Sequence, residues 1–353
     1  MTNDGQVFRL FACNVPVAGA SRAIVCDLQR GELFHIPMEL YTLLTEYEGR
    51  TLGEIKAELA PEVAERVDAA FALLLENDLG VWLDPDEAAR FPAIDLARER
   101  PATLDNAIID VNRESRHDYP AIFAQLDELG CAHVELRFYD PVGLDELDRI
   151  LEPTRRGRLR SIQLVVPYAG WSADDFERLW TAHPRIATIS VHGAPTREVL
   201  RPGRKLAVSH FRQRIESSDA CGRIHPGYFS INLETFSEAQ RLNTCLSGKV
   251  GIDVAGKIKN CPSCTECFGD AGTTRLSDVV QLGAFRRLWN VQRDQVDVCR
   301  DCEYRYICTD CRAFVSDPLA KPAKCNYDPY AGEWRVLTPA PSSGTVLPLS
   351  KLP

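Results

Sequence analysis

The chain has 353 residues, 45% of them apolar and 26% charged, a composition that fits two or three folded domains and excludes intrinsic disorder as the main state. Its 41 Lys and Arg stand against 50 Asp and Glu, so the formal net charge is −9, and neither nucleic acid nor an anionic membrane is an expected partner. The 13 cysteines are unevenly spread: nine lie between Cys245 and Cys325, while Cys13, Cys26, Cys131 and Cys221 are scattered before them.

The N-terminus is acidic and leads into no signal-like apolar core, and no apolar run approaches a membrane span. The expected location is the cytoplasm, where thiols stay reduced and a cysteine cluster reads as metal ligands or redox groups. In chain order, Val7–Cys13, Ala23–Asp27 and Glu32–Ile36 read as strands, the last two joined by a turn at Gln29–Gly31. Helices are predicted from Pro37, from a capping box at Thr51–Glu54, and over about Glu62–Glu76. In the last of these, Val63, Val67, Ala70, Phe71, Leu74 and Leu75 share a side. Val81–Leu83 returns as a strand. Residues 1–84 thus make a small winged-helix-like domain, and the acidic, Pro-punctuated 85–103 a linker.

From Leu104 the pattern alternates. Strands fall at Ala107–Val111, His133–Phe138, Ile162–Val166, Ile186–Val191 and Leu206–Ser209, with helices at Tyr119–Leu129, Leu144–Leu151 and Ala173–Trp180. This is the rhythm of βα units on a parallel sheet, and 104–240 is too short for eight of them, so an incomplete barrel is expected. The fold class is α/β, multidomain. Residues 241–334 are Cys-rich and loop-rich, with one helix near Leu282–Trp289, and 335–353 form a Pro/Ser-rich tail expected to be flexible.

Cys299-x2-Cys302-x5-Cys308-x2-Cys311 is dense, and Cys245, Cys261, Cys264, Cys267 and Cys325 share its region. Two thiolates three residues apart can face one metal centre across a tight turn. Nine thiols exceed one tetrahedral zinc and suffice for two four-thiolate centres. Spacing alone leaves zinc and iron–sulfur clusters both open.

The run Cys245-x10-Gly256-x4-Cys261, the dense quartet and the distant Cys325 resemble the SPASM domain, which follows the radical SAM barrel in peptide-modifying enzymes and carries two auxiliary 4Fe–4S clusters. With Ile252–Ser263, Cys302–Ala313 and Lys321–Tyr330, the stretch is similar to the SPASM peptide maturase of grasp-with-spasm systems, which modify ribosomal peptides (RiPPs) beside an ATP-grasp ligase. The resemblance implies one cluster on Cys299, Cys302, Cys308 and Cys325. It implies a second on Cys245, Cys261 and Cys311, with Cys264 or Cys267 as fourth ligand, or an open iron. The sequence departs from the family in having two residues, not three, before Cys311, and in offering surplus thiols along Cys261-x2-Cys264-x2-Cys267.

A radical SAM enzyme needs Cys-x3-Cys-x2-Cys after its first barrel strand. Here that loop reads Val111-Asn-Arg-Glu-Ser-Arg-His-Asp-Tyr119, and no such triplet precedes Cys245. S-adenosylmethionine is therefore not an expected cofactor, and whether the chain is an enzyme stays open, with no catalytic residue assigned. Cys13, Cys26, Cys131 and Cys221 read as packing. Asp110 reads first as a buried partner of Arg113 or Arg137, and Glu135, His133 and His192 as strand-end groups. Cys221-x3-His225 has weak metal spacing.

The N-terminal domain resembles the PqqD-like element that recognises precursor leaders. That resemblance implies a leader strand added beside Leu33, Phe34, His35 and Ile36, resting on the helix face of Val67, Phe71 and Leu74. A DNA reader is disfavoured, since the third helix starts with Glu62 and Glu65 and has only Arg66 as cation. The expected partners are a precursor peptide and an ATP-grasp ligase. The rival readings are a non-catalytic scaffold with two structural zincs, and an electron relay.

Overall fold

The structure, a computed structural model, describes residues 3–97, 101–202 and 206–335. Near the N-terminus β1 (Val7–Leu10) is followed by an antiparallel sheet of β2 (Asn14–Ala18), β3 (Ala23–Asp27) and β4 (Glu32–Ile36), in that order. Then come α1 (Met38–Thr45), α2 (Leu52–Glu58), α3 (Pro61–Glu76) and β5 (Gly80–Leu83), which pairs back with β1. Thr51 caps α2: its hydroxyl accepts from Glu54 N, and the Glu54 carboxylate accepts from Thr51 N. Two details differ from expectation. The strand at Val7 leaves the three-stranded sheet for β5. Its place is taken by β2, which the sequence hid because Pro16 argues against a strand; at a sheet edge a missing N–H is tolerated.

β3 is buried on both faces. Ala23 and Val25 join the core beneath the helices, while Ile24 and Cys26 pack on Tyr304, Ile307 and Cys308 of the Cys-rich region. β4 divides the same way: Phe34 and Ile36 face the helices, Leu33 and His35 the Cys-rich side. On α3, Val67, Phe71 and Leu74 are 2%, 2% and 0% exposed. Phe71 packs at a tilt against Phe8 (4.9 Å) and edge-on against Trp82 (5.0 Å), so Val67, Phe71 and Leu74 belong to the core of the unit. The helix face that the resemblance assigns to a leader peptide lies within the domain's own core. The periodicity was legible, but β1 and β5 close over it.

After a short α4 (Pro85–Ala88), the chain builds one eight-stranded sheet. Its elements are β6 (Asn106–Val111), α5 (Tyr119–Glu128), β7 (His133–Phe138), α6 (Leu144–Leu151), β8 (Ser161–Pro167), α7 (Ala173–Ala182), β9 (Ile186–His192), β10 (Glu198–Leu200), β11 (Ala207–Phe211), α8 (Leu233–Ala239), β12 (Lys249–Ile252) and β13 (Ile258–Lys259). The order is 10-11-9-8-7-6-12-13, with β10 and β13 antiparallel at the edges and the rest parallel. The sheet therefore continues past residue 241, into the Cys-rich segment. The expected helix near Leu282–Trp289 is a helical turn at Gly283–Arg286 continued as a 3-10 turn. The tail from 336 lies outside the described residues.

Strand alternation gives the sheet two unlike faces. The row Ile109, Leu136, Leu164, Ile189 and Val208 is almost wholly buried and meets the helices. The row Asp110, Arg137, Val165, Ser190 and Ser209 points the other way, toward the Cys-rich segment. Among the described residues no helix is long and apolar enough to cross a membrane.

Phe71→Ala is expected to destabilise the N-terminal unit by about 3–5 kcal/mol, the cost of emptying a buried aromatic site. Urea denaturation of the variant checks this.

Candidate functional site: two groups of thiols

Cys299, Cys302, Cys308 and Cys325 line one small cavity. Each arrives on a hydrogen-bonded turn or loop. Cys302 N donates to Cys299 O (3.0 Å), so the two-residue spacer folds as a turn, and Cys325 N donates to Pro322 O (3.0 Å). Val298, directly before Cys299, has φ +66°, a rare conformation for a β-branched residue. Phe229, Tyr304, Tyr327 and Trp334 wall the cavity, and Arg293 Nη1 donates to Cys299 Sγ (3.6 Å).

Cys245, Cys261 and Cys311 line a separate cavity of about 490 Å3 under the polar face of the sheet. The fourth thiol in its wall is Cys221. Gly222 explains how that segment approaches: it has φ +86°, and a Cβ there would sit 2.8 Å from Cys311 Sγ. Asn243 Oδ1 accepts from Cys245 N (3.0 Å) and Leu246 N (2.8 Å), fixing the turn that carries Cys245. Lys249 Nζ donates to Cys245 Sγ (3.8 Å). On the far side, a Cβ at Gly251 of β12 would lie 2.5 Å from Pro262, so the Cys261 loop rests directly on the strand.

The surplus thiols fall elsewhere. Cys264 is buried beside Cys261 but outside the cavity wall, and Cys267 is exposed, its thiol donating to Gly269 O (3.3 Å). Cys26 and Cys131 are buried packing residues, and Cys13 is half-buried. Cys221, read from the sequence as packing, is exposed instead. Its 24-residue distance from Cys245 hid it; the adjacent glycine was the available signal.

Burial pushes the thiols of Cys245, Cys261, Cys299 and Cys311 up to about 11, that of Cys264 to about 12, and that of Cys302 well above its ordinary value. Without a metal ion these sulfurs hold their protons at neutral pH; a metal centre would displace them.

One carboxylate joins the two groups. Asp310, 1% exposed and at φ +43°, sits directly before Cys311. It forms ion pairs with Arg293 Nε (2.9 Å) and Arg312 Nε (2.8 Å), and accepts from Asn243 Nδ2 (2.7 Å). Arg293 reaches Cys299 and Asn243 holds Cys245, so both sets hang on this residue.

The remaining candidates are structural in their contacts. Asp110 accepts from Arg137 Nε (2.6 Å) and from the Tyr139 hydroxyl (2.6 Å), and Arg113 pairs instead with Asp140. Burial raises the Asp110 carboxyl against the pull of Arg137. Glu135 is 3.6 Å from Arg137 Nε. His192 Nδ1 accepts from Ile215 N (3.2 Å), which leaves Nε2 to donate to Phe138 O (3.0 Å). His133 meets Ser161, and His225 Nδ1 accepts from Gly227 N. The loop after β6 is tied by Ser115, whose hydroxyl donates to Val254 O (2.8 Å). Among the described residues, no three His, Cys, Asp or Glu side chains close on a single ion.

No family model matches the chain, and no curated protein does. Among solved structures it is similar to Streptococcus suis SuiB, at 10% identity and a TM-score of 0.34, over 90% of this chain and 97% of that one.

Asp310→Asn leaves two buried guanidiniums without a counter-charge and is expected to cost about 3–5 kcal/mol, measurable by denaturant titration. In the metal-free reduced protein, iodoacetamide at pH 7.5 should label the exposed Cys221 and Cys267 first. Cys26 and Cys131, whose thiols burial pushes up to about 12, should stay unlabelled by mass spectrometry until the chain unfolds.

Proposed function

We propose that this chain is an iron–sulfur protein of ribosomal peptide maturation. The observation that carries the metal part is the donor set: two groups of four thiols, each around its own cavity and each with a cation on one sulfur. Cys299, Cys302, Cys308 and Cys325 would hold one 4Fe–4S cluster. Cys245, Cys261 and Cys311 would hold the other, with Cys221 as fourth thiol in preference to Cys264 or Cys267. Bound clusters supply one-electron transfer. The residues around them do the rest: Lys249 and Arg293 offset thiolate charge, and the aromatic wall of the Cys299 site keeps water away.

The peptide part rests on the resemblance of the Cys-rich segment to SPASM maturases and of residues 1–84 to leader-recognition elements. β4 is an edge strand of its sheet, which suits addition of a leader strand along Leu33–Ile36 through its backbone. Val67, Phe71 and Leu74 would support that edge from within the core. An ATP-grasp ligase is the proposed partner, and the cytoplasm the proposed location. With no cysteine in the loop after β6, S-adenosylmethionine cleavage is not part of the proposal.

Anaerobically purified protein is expected to be brown and to carry iron and acid-labile sulfide. Loading with iron and sulfide should protect Cys221 from iodoacetamide and leave Cys267 reactive. A colourless protein holding about two zincs would establish the structural-zinc scaffold instead. Protection of Cys267 with Cys221 still labelled would move the fourth ligand.

A further inference from the structure

The thiols close only one side of the 490 Å3 cavity; the opposite wall is the polar face of the sheet. Its volume falls within the roughly 300–1,000 Å3 of small-ligand sites. Arg137 stands in that wall, its side chain 8% exposed. Asp110 takes its Nε, and Nη2 is buried with no hydrogen-bond partner. A guanidinium nitrogen left in this state costs free energy until an acceptor meets it. The lining adds Arg197 and Arg223 against Glu135 and Glu198, so three guanidiniums face two carboxylates. The rest of the wall is largely apolar, with Val165, Phe211, Ile215 and Leu246, while Ser190 and Ser209 continue the row beside Arg137.

We propose that this cavity binds a carboxylate on an apolar stem, with Arg137 as its anchor and the stem lying along Val165, Phe211 and Leu246. A fixed guanidinium fork favours a planar, two-oxygen acceptor, and the apolar wall favours a hydrocarbon body over a phosphate or sugar. The sheet forms one wall of the site and the thiols of Cys245, Cys261, Cys311 and Cys221 another, so a cluster on those thiols would share the cavity with the acid. A free small acid and the C-terminus of a peptide share this chemistry.

Isothermal titration of the intact, anaerobically purified protein tests it, with iron and sulfide measured on the same sample so that cluster loss and loss of acid binding are read separately. The probes are 3-phenylpropionate, its primary amide, and the tripeptide Ala-Ala-Phe with a free or amidated C-terminus. At least one acid should bind roughly tenfold tighter than its amide, the worth of a charged hydrogen bond. Binding of the tripeptide assigns the site to a peptide end, and binding of phenylpropionate alone to a free acid. Arg137→Gln should erase the acid–amide gap. Ser209→Phe, which leaves the Arg137–Asp110 pair in place, should abolish binding by filling the cavity, and it decides the matter if Arg137→Gln fails to fold. Equal affinity for acids and amides, no binding of either acid, a gap that survives Arg137→Gln, or binding unaffected by Ser209→Phe would each overturn the proposal.

Discussion

One buried carboxylate, Asp310, ties the two thiol groups of the Cys-rich segment together. Asp310 lies between two arginines, themselves nearly inaccessible, and it also receives Asn243. Taking three charges out of water is costly, and the cost is offset only when every partner is placed. Here the partners are the residues that set the sulfurs: Arg293 contacts Cys299, Asn243 orders the turn of Cys245, and Asp310 adjoins Cys311. A segment with little regular secondary structure gains a definite geometry from this one network. The positive φ at Val298 and Asp310, each directly before a cysteine, fits the same picture: the backbone is held in unfavourable conformations where it delivers a thiol.

The βα rhythm from Leu104 was legible because a parallel sheet buried against helices writes an apolar strand and an amphipathic helix in turn. What it could not show was where the sheet stops. β12 lies beside β6 although some 140 residues separate them, and nothing local in Lys249–Ile252 names its neighbour. The N-terminal strands were hidden by a similar limit. Pro16 spoke against β2, and only its edge position makes it acceptable. On α3 the 3.6-residue period of Val67, Phe71 and Leu74 marked a buried face. Period alone does not say whether the domain or a ligand covers it; Phe8 and Trp82 do.

The thiol sites divide in the same way. Cys299 and Cys302 are joined by a local turn, so their pairing is written in spacing. Cys325 and Cys221 are brought in by tertiary structure. Cys221 in particular depends on Gly222, whose missing Cβ lets the loop lie against Cys311 and Phe314. Cys264 and Cys267 show the converse. Their spacing from Cys261 is as suggestive as any in the chain, yet the turn after Cys261 buries one beside the cavity and leaves the other in solvent.

The three-stranded sheet and the thiol group of Cys299, Cys302, Cys308 and Cys325 are parts of one contact. His35 of the edge strand β4 is hydrogen-bonded to the Tyr304 hydroxyl (2.6 Å), and Tyr304 lies between Cys302 and Cys308. Arg22 donates to the same hydroxyl (2.9 Å) and pairs with Glu303 (2.7 Å), which also accepts from Tyr327. Glu303 is almost fully buried, so the pair is screened little by salt. Ala20 N donates to Asp301 O (2.8 Å), and Gly19 passes so close that a Cβ would meet Glu303 N at 2.8 Å. The loop that carries Cys302 and Cys308 is thus braced by the small sheet rather than by the large one. Whatever lies along the outer edge of β4 lies one side chain away from a tyrosine in the wall of the thiol cavity.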